Sequence, residues 1–506
     1  MFGLAAWVEN MSAPVKILNE LNAIHERYSH KMVVNPALTR ALVSFQANKK
    51  VQSFRWFKYK EGFSAALVDY LLDRLRIVQG IVLDPFAGSG TTLFVAAKRG
   101  LNCIGVELLP IGCELINVRR ILNEIEPDAT SRRLSSWASN RPWLCWEQSA
   151  AFPHLNITSG AFPADNEEAL GRFTSWANAQ EVPFKPVLRL AALSILEEIS
   201  YTRKDGQYLR WDCRSSRRVG RRPFDKGRIA KFDEAVAAKL NEIAEDLIGK
   251  GHSRDLFDCP SMQPGRIDLL EGSCLDQLPN VKTNSVDAII TSPPYCNRYD
   301  YTRTYALELA LLGVGESGLK ELRQSMLSCT VENRPKVNLE NVFGKQIFNH
   351  AAKAFESQAL LQAVLSYLED RKLEGALNNN GIPRMVRNYF FEMGLVIFEC
   401  ARVLKLGAPF VMVNDNVRYE GVHVPVDLIL SDMAKHAGLQ TEHIWILPTA
   451  KGNSSQQMGK HGRQELRKCI YVWRLARVKR ANQPGRQPRY HSSDSQRAGA
   501  ALPLGR

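Results

Sequence analysis

Val82-Leu83-Asp84-Pro85-Phe86-Ala87-Gly88-Ser89-Gly90-Thr91-Thr92 is the stretch on which the reading of this chain turns. An apolar run, Ile81 to Leu83, ends at a carboxylate. A tight turn with two glycines follows, and a helical pattern (Leu93, Val95, Ala96, Ala97) begins at Thr91. Strand, glycine-rich turn and helix hold a nucleotide-like ligand at the carboxyl end of a parallel sheet. Glycine lets the backbone approach that ligand, and the helix start offers unpaired N–H groups. The turn is not a phosphate-binding P-loop, which needs a lysine where Thr91 stands, and it lacks the GxGxxG spacing of dinucleotide enzymes. ATP and NAD are thereby disfavoured. A second strand, Asn102 to Val106, ends at Glu107, about 20 residues beyond the turn, where a doubly wound fold places the acid that accepts from ribose hydroxyls.

Asp84 to Thr92 resembles the S-adenosylmethionine motif of the amino-methyltransferases that modify DNA bases. Thr291-Ser292-Pro293-Pro294-Tyr295 resembles the same family's catalytic motif, [DNS]-P-P-[YFW], and follows an apolar strand, Ser285 to Ile290. The resemblance covers 54–120, 266–314 and 385–474. It implies an α/β fold: a Rossmann-like, doubly wound, mostly parallel sheet with a terminal antiparallel hairpin and mainly helical inserts. It also implies S-adenosyl-L-methionine as cofactor, held by Phe63, Ser64, Asp84, Pro85, Phe86, Gly88, Gly90, Thr91 and Glu107. In the family the third strand commonly ends in Gly-Asp, the acid contacting the adenine amine. Here it reads Gly272-Ser273-Cys274, so Ser273 or the Cys274 backbone stands in for that acid.

The chemistry agrees with these residue types. An exocyclic base amine is a poor nucleophile because its lone pair is delocalised into the ring. Acceptors on its two hydrogens favour the rehybridised, positively charged nitrogen of the transition state. Ser292 Oγ and the Pro293 carbonyl are the candidates. Pro293 and Pro294 stiffen the loop, and Tyr295 offers a face on which an extruded base can stack. In the family a serine in the first position goes with cytosine-N4 and an aspartate with adenine-N6, so cytosine-N4 is favoured. The rivals are adenine-N6, an RNA guanine-N2 or adenine methyltransferase, and a DNA-binding protein with a degenerate cofactor pocket.

The net charge of +14 over 506 residues favours a polyanionic partner. The resemblance makes that partner double-stranded DNA, with a cognate restriction endonuclease or other defence-system proteins as further candidates. Ten cysteines without zinc spacing read as reduced thiols, with no metal site. Met1 to Val8 is apolar but short and lacks a basic start, unlike a secretory signal, and no apolar run is long enough to span a membrane. A cytoplasmic, nucleoid-associated protein is expected.

Between the motifs the chain reads as an N-terminal extension (1–53), a first catalytic part (54–120), an inserted domain (121–265), a second catalytic part (266–314), a second insert (315–384), a third catalytic part (385–474) and a basic tail (475–506) expected to be disordered. Before the first strand, Trp56 and Phe57 read equally as part of the cofactor's cover or as an aromatic cluster packing the first helix. The first insert carries basic and aromatic residues from Tyr201 to Lys231, including Lys204, Arg214, Arg217, Arg218, Arg221, Arg222 and Lys226. They fit a target-recognition surface that neutralises phosphates, or a solvated basic loop. Arg298 and Tyr299, after the catalytic motif, are further candidates for DNA contact, as is the polar loop 451–467. The second insert is a candidate clamp over the DNA.

Overall fold

A computed structural model describes residues 13–205, 208–215, 217, 223–252, 263–448 and 466–476. Arg218, Arg221, Arg222, most of the loop 451–467 and nearly all of the basic tail lie outside the described residues.

Among the described residues the strands, in chain order, are β1 (Met32–Val34), β2 (Ile81–Asp84), β3 (Asn102–Glu107), β4 (Thr202–Asp205), β5 (Tyr208–Trp211), β6 (Ile267–Glu271), β7 (Ala288–Thr291), β8 (Pro409–Asp415), β9 (Val417–Tyr419), β10 (Val422–Val424), β11 (Leu439–Ile446) and β12 (Lys468–Leu475). Eight form one sheet in the order β1-β11-β12-β8-β7-β2-β3-β6. All its pairings are parallel except those of β12, which runs antiparallel between β11 and β8. From β2 the chain builds outward to β3 and β6 on one side, then returns to β7 and β8 on the other. That reversal leaves a crevice beyond the carboxyl ends of β2 and β7, the place where open α/β sheets bind ligands.

The central strands are apolar on both faces because both faces are covered. Leu83, Ile289, Phe410, Met412, Tyr471 and Trp473 point to one side, into a core shared with the helices Ile382–Val403 and Val426–His436. Val82, Ala288, Ile290, Val411, Val413 and Val472 point to the other, against Ala65–Arg74 and Thr91–Lys98. This alternation is the period-two signature of a strand.

The segment 13–53 does more than lean on the catalytic core. Its helix Ala13–Ser29 adds Ile17, Ile24 and Tyr28 to the first core, and β1 extends the sheet by pairing with Ile444 to Ile446. The 121–265 stretch builds a helical layer from Pro127–Asn140, Ala164–Asn178, Phe184–Ile199 and Phe232–His252. Its core is continuous with Trp56, Phe57, Tyr59 and Tyr305. Residues of 315–384 also go inward: Ala351, Ala354, Leu361, Val364 and Leu368 are buried against Ile382–Val403 and its neighbours.

Asp246 fastens the helical layer to the edge of the cleft. Its buried carboxylate accepts from Ser53 N–H (2.9 Å), Arg55 Nη2 (2.6 Å) and Trp56 Nε1 (2.8 Å). Asp246→Ala removes an acceptor shared by three donors and is expected to cost about 3 kcal/mol. The measurement is the urea midpoint, which falls while the m-value holds.

Candidate active site

The turn after β2 needs its glycines. Gly88 and Gly90 have φ of +54° and +80°, in the left-handed region that L side chains avoid. A Cβ on Gly90 would come within 2.8 Å of Ile116 Cγ1, and one on Gly88 within 3.1 Å of the Tyr59 ring. Glu107, the last residue of β3, closes the turn from the far side. Its two carboxylate oxygens accept from Gly88 N–H (2.6 Å) and Leu109 N–H (2.7 Å), and burial pushes its pKa up to about 7.

Asp84 ties the loop to the neighbouring strand. It lies behind the loop, buried, accepting from Phe86 N–H (3.1 Å) and from Thr291 Oγ1 (2.6 Å). Burial raises its carboxyl to about 6 against these hydrogen bonds. Thr92 Oγ1 adds a second stitch, donating to Ile290 O at 3.3 Å. The ends of β2 and β7, 207 residues apart in the chain, are thereby tied side by side.

Ser292 follows at once. Its hydroxyl donates to Val413 O of β8 at 3.0 Å, and Tyr295 Oη lies 3.4 Å from Ser292 Oγ. A hydroxyl has one proton and two acceptor lone pairs. With the proton held by Val413, Ser292 Oγ is left with acceptor capacity. Pro293 is buried; Ser292, Pro294 and Tyr295 are half-buried.

One cleft of about 780 Å³, open mouth included, joins the two loops. Phe63, Pro85, Phe86, Gly88, Thr91, Glu107, Ser273 and Cys274 line it, together with Ser292 and Pro294. Ser64, Asp84, Gly90, Pro293 and Tyr295 are not in that lining. Ser64 is buried and occupied elsewhere, capping the helix Ala65–Arg74 by accepting from Leu67 N–H (3.1 Å) and donating to Leu42 O (2.6 Å). Ser273 caps a short helix and donates to Ser325 O (2.7 Å) while still facing the cleft.

The structure adds walls that motif reading passed over: Tyr59, Glu61, Tyr301, Met326 and Leu327. Glu61 accepts from the hydroxyls of both Tyr299 and Tyr305, and Tyr59 stacks on Tyr305 with centroids 5.3 Å apart. Burial, with the nearby Glu61 charge, pushes the Tyr299 and Tyr305 hydroxyls upward, so they remain neutral donors. The Tyr299 hydroxyl is therefore turned into the protein. Arg298, at φ +65°, donates to Asn378 Oδ1 at 3.0 Å.

Four cations of the basic stretch of the first insert have partners within the fold. Lys204 is buried in an ion pair with Glu308. Arg214 forks onto buried Asp212 at 2.7 and 2.8 Å and holds that carboxyl well below the usual range. Lys226, lowered to about 8 by burial, donates to the Glu197 and Ser200 carbonyls. The Arg217 guanidinium sits 4.3 Å from the Trp211 ring centre and donates to the Asn156 and Ser159 carbonyls. Each of these four cations has an acceptor or a ring within the fold that the linear sequence does not show. Among the described residues no group of three or more His, Cys, Asp or Glu could hold a metal, and no helix is long and apolar enough to cross a membrane.

A glycine turn and a strand-end acid on one side of a sheet reversal, facing a Ser-Pro-Pro-Tyr loop on the other, define the class: a Rossmann-like methyltransferase. A family model described as DNA methylase matches residues 23–117. Type II methyltransferase M.AvaI of Nostoc sp. is 50% identical over 453 residues, 89% of this chain and 92% of the relative. Type II methyltransferase M.BsoBI of Geobacillus stearothermophilus is 40% identical over 471 residues, 89% and 91% of the two chains. Type II methyltransferase M.MjaII of Methanocaldococcus jannaschii is 43% identical over 61 residues, 12% of each. No solved structure matches. The chain belongs to the DNA amino-methyltransferase family.

Two outcomes follow from the buried carboxyls. Thr291→Val deletes the donor to Asp84 at nearly constant volume and is expected to cost about 1–3 kcal/mol of stability, read from chemical denaturation. Glu107, raised from 4.5 to about 7, keeps a proton in the native state that the unfolded chain has already released. Its contribution to stability is present below pH 4.5 and is lost as pH rises through about 7. Glu107→Gln is expected to flatten the stability profile across that window, compared by denaturant midpoints at acid and neutral pH.

Proposed function

We propose that this chain transfers the methyl group of S-adenosylmethionine to the N4 amine of a cytosine flipped out of duplex DNA. The observation that carries the reading is Ser292: its proton is taken by Val413 O, its lone pairs are left to accept, and it shares one cleft with Gly88 and Glu107.

The cleft suits the cofactor in character: Phe86, Leu108, Cys274 and Leu327 offer apolar walls for a purine. Glu107 stands at the strand end where a ribose diol is held. Among the described residues the charged side chains lining the cleft are Glu61 and Glu107, both acids, which complement a ligand bearing a sulfonium and an ammonium. When bound, the cofactor supplies an electrophilic methyl on sulfur.

The protein's share is placement. Ser292 Oγ and the Pro293 carbonyl accept the two amine hydrogens and aim the nitrogen lone pair. Pro293 and Pro294 keep those acceptors from wandering. Flipping a base costs a few kcal/mol, and a stack on Tyr295 returns about 1–3 kcal/mol. Holding nitrogen and methyl in line is worth up to about 7–11 kcal/mol, so no strong base is needed and the amine proton leaves to solvent. The serine in first position supports cytosine, through the tendency of the family. The helical layer of 121–265 is the candidate for reading the target sequence. The Type II naming of the relatives supports a restriction endonuclease as the partner in the cell.

Ser292→Ala is expected to leave cofactor affinity within about twofold while turnover on duplex DNA drops about 10²–10³-fold, the scale of removing one transition-state hydrogen bond. Calorimetry with the cofactor and labelled methyl transfer to DNA, tRNA and rRNA measure the two arms. Nucleoside analysis of the modified DNA should yield N4-methylcytosine; N6-methyladenine would move the reading to adenine, and label in RNA alone would end it.

A further inference from the structure

Residues Arg323 to Leu327 form a wall shared by two clefts. Met326 and Leu327 face the catalytic cleft, whereas Arg323 and Gln324 line a second one with Lys320, Glu332, Arg334 and Arg384. This second cleft is open and encloses about 960 Å³. Four of its side chains are cationic and one is acidic. Lys320, Arg334 and Arg384 are exposed, and among the described residues none of the three has an ion-pair partner. Exposed like charges gathered in one concavity repel one another and focus a positive potential that favours a polyanion.

The cleft is fixed to the catalytic loop. Arg323 sits 2.9 Å from Asp300 Oδ2 and donates to Thr302 Oγ1 at 2.9 Å. Arg303 bridges Asp300 (3.2 Å) and Glu332 (2.9 Å). Asp300 lies five residues after Tyr295, so Arg323 of the cationic wall is tied to the loop that follows Ser292. Arg387, one helical turn beyond Arg384, is exposed as well and carries the positive surface past the cleft.

We propose that this cleft binds the sugar–phosphate backbone of the DNA beside the flipped nucleotide. The inference rests on the methyltransferase reading and adds a location to it. Extruding a base pulls its own backbone out of register, and the flanking phosphates must be held if the amine is to stay in line. Cations joined through Asp300 to the catalytic loop can hold them, whereas Lys204, Arg214, Arg217 and Lys226 each have a partner within the fold. The contact is to phosphate, so it gives affinity and register without sequence preference.

The test is the salt dependence of DNA binding by the full chain, measured by fluorescence anisotropy on a duplex lacking the target site. Each phosphate neutralised contributes about 0.9 to the slope of log affinity against log salt. The triple variant Lys320→Gln, Arg334→Gln, Arg384→Gln is expected to reduce that slope by about 2–3, with cofactor affinity unchanged by calorimetry. The pair Lys98→Gln, Lys435→Gln, exposed residues of two helices that cover the sheet, is expected to leave it unchanged. An unaltered slope in the triple variant overturns the proposal while leaving methyl transfer standing, as does loss of slope in the Lys98/Lys435 pair alone. Wild-type protein that takes up cofactor but neither binds nor methylates duplex DNA overturns this inference and the DNA reading together.

Discussion

A carboxylate and a hydroxyl 2.6 Å apart, Asp84 and Thr291, hold the two halves of the active site in register. Both groups are buried, and a buried carboxyl is tolerable only where donors meet it. The pairing works only while β2 and β7 lie side by side with their ends level. One strand end leads into the glycine turn and Glu107's neighbourhood, the other into Ser292. The glycine turn and the Ser292 loop are therefore spaced by a backbone-deep contact, and not by surface side chains free to drift. An error of an ångström in such spacing is costly in rate.

A second constraint comes from the aromatic side of the cleft. Glu61 draws two tyrosine hydroxyls together, and one of those tyrosines stacks on Tyr59, which packs over Gly88. Tyr59 and Tyr305 also belong to the core of the helical layer. Packing in that layer and the width of the cofactor cleft are thus properties of the same cluster. The inserted helices help to build the pocket as well as surround it.

The parts of this arrangement that were legible in the sequence are the ones written locally. The strand before Asp84, its glycines and helix, and the Ser-Pro-Pro-Tyr loop all announce themselves within a dozen residues. The helix Ile382–Val403 opens with Pro383 in its first turn, where proline is tolerated. Glu61 gave no signal: its partners Tyr299 and Tyr305 are 238 and 244 residues away. Lys204 looked like a phosphate ligand because its partner Glu308 lies 104 residues off and is buried. β1 was missed because three residues carry too little periodicity, and its place is set by Ile444 to Ile446 at the other end of the chain. The Asp84 side chain meets Thr291, 207 residues away, which no spacing rule reveals.

The antiparallel position of β12 bears on how the molecule is made. Lys468–Leu475 threads between β8 and β11, both of which leave the ribosome earlier. Until it arrives, β8 presents a bare hydrogen-bonding edge, and its far neighbour has nothing to pair with on that side. β8 also carries the carbonyl that orients Ser292. The strands around the glycine turn are made early, whereas the sheet that seats the Ser292 loop closes only when this late strand is inserted. Until then the open edge is a template for non-native pairing.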